Sequence, residues 1–327
     1  MNASFDLIRF EFSEPLHISN ARSDYAKSEE GIRSDTLAAA VMQSWATLGK
    51  QEWINAQPGF VTTSLFPFTT VSGNFIYFFP KPVKDQTLNH LPPGSVKSFK
   101  IIRYYEKELF EERLHGRLNV ELNEMKEAFL TRSVPAGDTA FCKKSVIPRI
   151  MRPRDDKSDT RIFYMERRTF KKGAGLFCLA SFKDNEWKQR FIKGLSLLAE
   201  NGLGSDRTVG NGRFRFTEDT LELKIVSDSD HIISLSLFLP ESEESLKKIL
   251  DDESRYELIR RGGWISEPFN TLRKRSIHMF AEGSVFNEPA ESFKIKGKVV
   301  NVKPLSVPSY NAIYRSGQSI FLPIKIN

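Results

Sequence analysis

Residues 202–214, with the sequence GLGSDRTVGNGRF, constrain this chain more than any other segment, because four glycines and two arginines share one loop. A helical pattern ends at Asn201, and a strand-like pattern begins at Arg213. Glycine permits positive φ angles and close approach of another backbone. Arginine in such a loop favours phosphate as the bound group. The sequence therefore predicts an anion-binding loop between a helix and a strand.

Two common phosphate-binding loops do not match this segment. A dinucleotide-binding fingerprint follows a strand and opens a helix, whereas this loop follows a helix and has Arg207 where the third glycine is required. A P-loop ends in Gly-Lys-Ser/Thr, but Gly210 and Gly212 are followed by Asn211 and Arg213. We therefore predict no nucleotide cofactor, and no cofactor of another kind.

Length and composition favour a soluble protein with two domains. The chain has 327 residues, of which 40% are hydrophobic and 27% charged, and this is enough material for two cores. No apolar run reaches the length of a membrane span, and the first residues lack the pattern of a signal peptide. Cys142 and Cys178 match no zinc pattern and are too few for a disulfide framework. We expect a cytoplasmic protein with reduced cysteines.

The net charge of +7 is concentrated in one segment. Residues 143–172 hold eleven basic and four acidic side chains, so their excess of positive charge equals that of the whole chain. A local positive field beside a neutral body is typical of a polyanion site, although a charge run alone is more often a solvated surface. Together with the glycine-rich loop, this segment predicts a nucleic acid as partner.

Hydrophobic periodicity predicts an α+β fold. Residues 1–217 give the order strand, helix, strands, insertion, strands, helix, strand, which fits the βαββαβ order of a ferredoxin-like unit. The insertion covers about 84–145 and includes a charged helical candidate near 104–115. Residues 218–327 repeat a looser version with several strands and one short helix. We therefore expect two domains, 1–217 and 218–327, the first a ferredoxin-like (RRM-like) unit with a long insertion.

Several segments resemble one subgroup of the repeat-associated mysterious protein (RAMP) superfamily of CRISPR effector complexes. The order helix, glycine-rich loop with arginine, strand resembles the superfamily's signature loop. Further segments are similar to the type III-A (Csm) subunit that caps the 5′ end of the CRISPR RNA, namely Pro15-Leu16-His17-Ile18, Arg33-Ser34-Asp35-Thr36-Leu37, Pro148-Arg149-Ile150, Gly175-Leu176-Phe177, Arg261-Gly262-Gly263-Trp264 and Glu282-Gly283-Ser284-Val285-Phe286. The match spans the chain in islands, and the segment 84–145 carries no motif that aligns.

The resemblance implies a function as well as a fold. It implies tandem ferredoxin-like domains and binding of the repeat-derived 5′ tag of the CRISPR RNA. It also implies two protein partners, the large polymerase-like subunit and the first backbone RAMP subunit, with target RNA met only indirectly and no membrane. In such complexes the capping subunit is not the nuclease. We therefore expect a non-catalytic RNA-binding subunit in antiviral defence.

The predicted RNA contacts combine the loop, the basic segment and one histidine. Single-stranded RNA is held at its phosphates by arginine, lysine and backbone N–H groups. The loop would supply backbone and hydroxyl donors and two guanidinium groups, and the basic segment would supply further cations. The predicted RNA-binding residues are His17, Lys143, Lys144, Arg149, Arg152, Arg154, Arg161, Gly202, Gly204, Ser205, Arg207, Gly210, Gly212 and Arg213.

His17 leaves open an alternative function, a metal-independent RAMP endoribonuclease that processes the CRISPR RNA precursor. Such an enzyme needs a base, an acid and a cation that stabilises the phosphorane, and His17 with Lys143 or Arg207 could fill these roles. A histidine that packs or hydrogen-bonds near the loop is the simpler interpretation. The other histidines, His231 among them, show no ligand spacing, so we predict no metal site and no catalytic residue. A subunit that touches mainly protein is disfavoured by the basic segment.

Overall fold

Strands dominate the architecture. The computed structural model describes residues 1–18, 26–85, 87, 91, 94–151, 159–265, 271–304 and 311–326. These residues form one nine-stranded sheet, one four-stranded sheet and three two-stranded ribbons, with five α-helices. The predicted α+β class is confirmed.

The elements have the following bounds. The strands are β1 (Asn2–Phe12), β2 (Phe60–Thr62), β3 (Phe66–Val71), β4 (Asn74–Pro80), β5 (Tyr104–Glu106), β6 (Met125–Lys126), β7 (Phe129–Leu130), β8 (Cys142–Met151), β9 (Arg161–Phe170), β10 (Gly175–Phe182), β11 (Phe214–Lys224), β12 (Ser229–Ser234), β13 (Leu258–Arg261), β14 (Ile277–Phe280), β15 (Val285–Ala290), β16 (Lys294–Lys296), β17 (Val299–Asn301), β18 (Tyr314–Ser316) and β19 (Ser319–Pro323). The helices are α1 (Ser34–Thr47), α2 (Val96–Ile101), α3 (Lys107–Leu114), α4 (Asn185–Asn201) and α5 (Glu243–Ile249). Short 3-10 turns cover Gln51–Trp53, Leu122–Glu124 and Arg207–Val209.

The large sheet begins with the strand order β11-β1-β10-β3. Taken along the chain as β1, α1, β3, β10, α4 and β11, this is the spatial order 4-1-3-2 of a βαββαβ unit. Helices α1 and α4 pack together in one apolar cluster that contains Val41, Trp45, Phe191 and Leu195. Gly194 lets the helices approach, because a Cβ there would lie 2.7 Å from the Trp45 Nε1 atom.

The boundary expected between residues 217 and 218 falls inside β11. This strand pairs with β1 without interruption, from Phe214 opposite Phe12 to Lys224 opposite Asn2. Residues 218–224 therefore belong to the first sheet, because their hydrogen-bonding partner is the first strand of the chain. The other face of this sheet shares one apolar cluster with the second sheet, including Leu223. The division into two domains stays a prediction, and the chain leaves the first sheet only after Lys224.

The segment expected to be an insertion extends the large sheet. Strands β5, β7 and β6 continue it beyond β4, and α3 confirms the helical candidate near 104–115. Asp85 is 2% exposed and accepts hydrogen bonds from the Tyr105 hydroxyl at 2.7 Å and the Arg113 guanidinium at 2.8 Å. The segment is thus held by its own buried polar cluster.

The second sheet has the strand order β15-β12-β19-β16. Helix α5 begins with a reciprocal capping box between Ser242 and Ser245. It packs with β12 and β15 on an apolar cluster that includes Ile232, Ile249 and Phe286. Among the described residues from 225 to 326, α5 is the single α-helix, whereas a βαββαβ unit has two.

A buried ion cluster joins the two parts of the chain. The Asp35 side chain is fully buried at the start of α1 and accepts two hydrogen bonds from Arg261, each 3.0 Å long, and another from Arg315. Arg33 donates to Glu282 at 2.9 Å. Burial alone would raise the pKa of Asp35, but Arg261 and Arg315 outweigh it and hold this pKa below its usual value. The N-terminal and C-terminal segments that carry the family resemblance therefore meet in space.

Candidate nucleic-acid interface

Helix α4 fixes the point where the glycine-rich loop begins. The Asp184 carboxylate accepts a hydrogen bond from the Trp187 N–H at 2.9 Å and caps the helix N-terminus. Leu195 and Leu198 lie on its buried face. The helix ends at Gly202, whose φ of +82° is the conformation that glycine adopts readily just past a helix end. The predicted order of helix, loop and strand is confirmed by α4 and β11.

The loop packs against the segment that follows β1. The Gly212 N–H donates to the Pro15 carbonyl and the Ser205 N–H to the His17 carbonyl, both at 2.9 Å. The Leu203 N–H donates to the Gly212 carbonyl at 2.9 Å and closes the loop on itself. The loop conformation is therefore fixed by backbone contacts.

Three glycines are required by close packing within the protein. A Cβ would lie 2.3 Å from the Asn211 carbonyl oxygen at Gly202, 2.5 Å from that of His17 at Gly204, and 2.0 Å from that of Leu203 at Gly212. All three also have positive φ angles, which disfavour other side chains.

The expectation that the loop offers backbone donors to phosphate needs correction at four positions. The N–H groups of Gly202, Ser205, Gly210 and Gly212 are already bonded to carbonyl groups of the protein. A donor bonded within the protein does not reach a ligand unless the loop opens. The prediction of phosphate binding at this loop therefore depends on its exposed side chains.

The basic segment forms a β-hairpin beside the loop. Strands β8 and β9 pair in full register from Cys142 opposite Phe170 to Met151 opposite Arg161. Leu16 and Arg168 exchange two backbone hydrogen bonds of 2.8 and 2.9 Å. Residues 15–17 thus lie between β9 on one edge and the glycine-rich loop on the other.

His17 supports this junction from inside. Its side chain has no exposed surface, and its Nδ1 atom lies 2.7 Å from the Glu166 carbonyl oxygen, within hydrogen-bond distance. The prediction that His17 is an RNA-binding residue therefore needs correction, since a fully buried imidazole offers no surface to RNA. Its carbonyl and ring hold the loop and the hairpin together.

Asp206 ties the loop to the hairpin. Its carboxylate accepts hydrogen bonds from Arg149, from Arg167 at 3.4 Å and from the Asn211 side chain at 2.8 Å. The backbone of Asp206 has φ of +63°, in the left-handed region. Sequence reasoning did not predict the roles of Asp206 and Arg167. The available signal was an acid inside an otherwise basic loop.

The predicted cations divide between the two sides of the hairpin. Alternation along the strands places Lys143, Arg149 and Arg161 on the side that faces Asp206. Lys144 lies on the other side and pairs with Glu30 at 3.5 Å. Arg161 pairs with Met151, two positions from Arg149 on the same side of the hairpin. Arg152 and Arg154 lie outside the described residues.

Two loop arginines remain available. Arg207 and Arg213 are exposed, and neither forms an ion pair with a residue that the structure describes. Thr208 beside them is also exposed. Two guanidinium groups without carboxylate partners, next to a basic ribbon, form a surface suited to phosphate.

The opposite side of the hairpin is apolar. Cross-strand pairing groups Val146, Ile150, Ile162 and Tyr164 on the side away from Asp206. Their exposed fractions are 55%, 70%, 66% and 57%, respectively. Exposed apolar side chains grouped in this way mark an interaction surface. The side of the hairpin away from Asp206 therefore presents an exposed apolar group in addition to Lys144.

The βαββαβ sheet, the helix–glycine loop–strand junction and the adjoining basic hairpin define a RAMP-type protein. The model of the CRISPR Csm4 C-terminal domain matches residues 227–324. The CRISPR system Cms protein Csm4 of Streptococcus thermophilus is 25% identical over 309 residues, which cover 90% of this chain and 91% of that protein. The C-terminal part of the chain thus matches the Csm4 domain model, most of the chain is similar to a Csm4 protein, and the resemblance seen in the sequence is confirmed.

A second sequence relative and two solved structures are also similar to this chain. The Csm4 protein of Mycobacterium tuberculosis strain H37Rv is 30% identical over 162 residues, covering 47% of this chain and 49% of that protein. The fold is similar to a chain in the crystal structure of a Csm3–Csm4 subcomplex of the type III-A interference complex, with TM-score 0.65, 16% identity and coverage of 98% and 100%. It is also similar to a chain in a Csm1–Csm4 cassette in complex with cA4, with TM-score 0.61, 16% identity and coverage of 99% of each chain. No helix in the described part of the chain is long and apolar enough to cross a membrane.

Proposed function

We propose that this protein is a non-catalytic RNA-binding subunit of a type III-A CRISPR effector complex. In this proposal it holds the 5′ repeat-derived tag of the CRISPR RNA and connects the large polymerase-like subunit to the first backbone subunit. The match of residues 227–324 to the Csm4 C-terminal domain and the 25% identity to a Csm4 protein over most of the chain support the assignment. Similar chains occur in structures named for Csm1–Csm4 and Csm3–Csm4 assemblies, which supports both protein partners.

The proposal of RNA binding depends on one observation: two arginines of this region pair with Asp206, and two others are exposed on the loop. Arg149 and Arg167 are occupied by Asp206 and hold the hairpin against the loop. Arg207 and Arg213 remain exposed on the loop itself. Because the first pair builds the junction, the second pair can bind phosphate at a fixed position. We place the RNA backbone across this loop, with Lys143 on the same side of the hairpin.

Salt dependence of RNA binding tests this placement. Each phosphate contact to single-stranded RNA contributes about 0.7 to the steepness of the slope of log affinity against log salt. The Arg207→Gln/Arg213→Gln variant loses two such contacts, so its slope should be shallower by about 1.4. Between about 50 and 200 mM salt, the ratio of the RNA affinity of the unmodified protein to that of the variant should then fall about sevenfold. Fluorescence anisotropy with a labelled repeat-tag RNA measures both quantities.

A matched variant separates the loop from general charge. Lys100 and Arg117 are exposed cations outside the loop and the hairpin. The Lys100→Gln/Arg117→Gln variant removes the same net charge and should retain nearly the full slope. Equal slopes for the loop variant and the unmodified protein would remove the loop from the RNA site.

We also propose that the chain does not cleave RNA. His17, the candidate base, is fully buried and its Nδ1 atom is engaged with the Glu166 carbonyl, so it does not reach a 2′-hydroxyl group unless the junction opens. Repeat RNA incubated with the purified protein, with and without divalent metal, should stay intact. Specific cleavage that His17→Ala abolishes would instead support the endoribonuclease that processes precursor RNA.

The apolar side of the hairpin supports a binding partner beyond the tag. Val146, Ile150, Ile162 and Tyr164 form an exposed group that a lone soluble protein rarely presents. Co-expression with the large and backbone subunits of the same locus, followed by ribonuclease treatment and gel filtration, tests whether protein contacts persist. A chain that elutes alone after this treatment would contradict the connecting role.

The domain arrangement belongs to the same proposal. We infer that the chain contains two units in tandem, with residues 1–224 as a ferredoxin-like first unit and the remainder as a looser second unit with one described α-helix. The 4-1-3-2 strand order supports the first unit. The family model that starts at residue 227 supports a second unit beginning just after β11.

A further inference from the structure

A histidine of the second sheet and two carboxylates of the turn after α5 lie close together. We propose that His231, Asp251 and Glu253 form a binding site for a zinc-type divalent cation. His231 lies on β12, and both acids lie in the turn that follows α5. One ligand atom from each side chain lies within 4.8 Å of the others. Sequence spacing predicted no metal site, because β12 and this turn become neighbours only in the fold.

The imidazole of His231 is positioned as a ligand. The residue is 8% exposed, and its Nε2 atom is buried without a hydrogen-bond partner among the described residues. A buried ring nitrogen without a partner is unfavourable, and coordination of a cation would satisfy it. The backbone of His231 is fixed by the Ile324 N–H, which donates to the His231 carbonyl at 2.9 Å.

The distances fit a coordinated ion better than direct hydrogen bonds. Nε2 lies 3.6 Å from the Asp251 Oδ2 atom and 3.6 Å from the Glu253 Oε2 atom. This is longer than a good hydrogen bond. Zinc bonds of about 2.0–2.1 Å in tetrahedral geometry separate two ligand atoms by about 3.4 Å. A cation between the three side chains therefore requires only small movements of the two carboxylates.

The Asp251 carboxylate is already oriented toward His231. Its other oxygen, Oδ1, accepts hydrogen bonds from the Ser254 hydroxyl at 2.7 Å and from the Glu253 N–H at 3.1 Å. These contacts hold one face of the carboxylate in the turn and leave Oδ2 for the ion. Partners that orient a ligand in this way are typical of metal sites.

The donor set selects the class of cation. One imidazole nitrogen and two carboxylates suit zinc and related first-row ions, whereas magnesium prefers oxygen ligands. Three protein ligands leave a fourth position for water, because Glu253 is 60% exposed at the solvent side. The bound ion would fasten the turn after α5 to β12 and stabilise this part of the second sheet.

Calorimetric titration of zinc into the full chain, without a histidine tag and after treatment with chelator, tests the proposal. We expect one saturable site. Glu253→Gln removes a ligand that is 60% exposed and whose one ion pair with a described residue is to His231. This variant should therefore fold and lose at least about tenfold in affinity, the lower limit for disturbing even the outer shell of a metal site. Asp252→Asn is the matched control in the same turn, and its affinity should be unchanged.

Cobalt gives a second readout. Co²⁺ bound by the three side chains should show the intense visible absorption of a tetrahedral site, and zinc should displace it while magnesium should not. Equal zinc affinity in Glu253→Gln and the unmodified protein would overturn the proposal. Absence of saturable binding at micromolar zinc would likewise show that the three side chains form only an ion cluster.

Discussion

Replacement of Asp35 by asparagine should destabilise the whole chain. The substitution keeps the shape of the side chain but removes its charge, and it leaves Arg261 and Arg315 facing a neutral amide. These guanidinium side chains are only 14% and 9% exposed, so water replaces little of the lost interaction. Removal of one partner from a buried ion pair costs about 3–5 kcal/mol, a large share of the roughly 5–15 kcal/mol that stabilises a typical protein.

Urea unfolding, followed by circular dichroism and tryptophan fluorescence, measures this cost from the transition midpoint and slope. The matched control is Asp219→Asn, which removes an acid that pairs with Arg9 at 2.9 Å but is 53% exposed. An exposed pair contributes about 1 kcal/mol or less. If Asp35→Asn does not fold, Arg261→Lys is the milder variant, since it keeps the charge and loses the two parallel hydrogen bonds.

The pH dependence of stability in acid measures the contribution of the same ion cluster in the unmodified protein. The pKa of Asp35 is lowered in the folded chain, because Arg261 and Arg315 outweigh the opposing effect of burial. Stability from this group is therefore complete above the unfolded value of about 3.9 and is lost as pH falls through the lowered folded pKa. In the Asp35→Asn variant, stability should not show this part of its decrease at acid pH. Equal unfolding energies for Asp35→Asn and Asp219→Asn would refute the reasoning.

Two further predictions concern the loop and the cysteines. Gly212→Ala should destabilise the chain and weaken RNA binding more than Gly210→Ala. Both positions have positive φ, but only at Gly212 does a Cβ collide, 2.0 Å from the Leu203 carbonyl oxygen. Equal effects of the two substitutions in denaturation and anisotropy would contradict this packing argument. Ellman's reagent should label Cys142 in the native protein and Cys178 only after unfolding. Cys178 is fully buried, and burial raises the pKa of its thiol. Rapid labelling of both thiols in the native protein would contradict the buried position of Cys178.

The sequence alone located the elements that present the loop. The apolar positions of α4 recur at helical spacing, and Gly202 provides the expected end of the helix. These are local properties, because helix periodicity and glycine conformations depend on neighbouring residues. The same locality made the family resemblance visible, since each motif is a short continuous segment.

Only the tertiary structure decided what the individual side chains do. Asp35 meets Arg261 and Arg315 across 226 and 280 positions of sequence, and His231 meets the turn after α5. Neither meeting leaves a periodic signal, because each depends on how distant segments pack. In the loop, the backbone N–H groups that glycines appeared to offer to a ligand bind carbonyl groups of the protein instead, since buried polar groups must find partners wherever the fold supplies them. The sequence thus determined where the glycine-rich loop lies, and the packing around it determined that the loop exposes the side chains of Arg207 and Arg213.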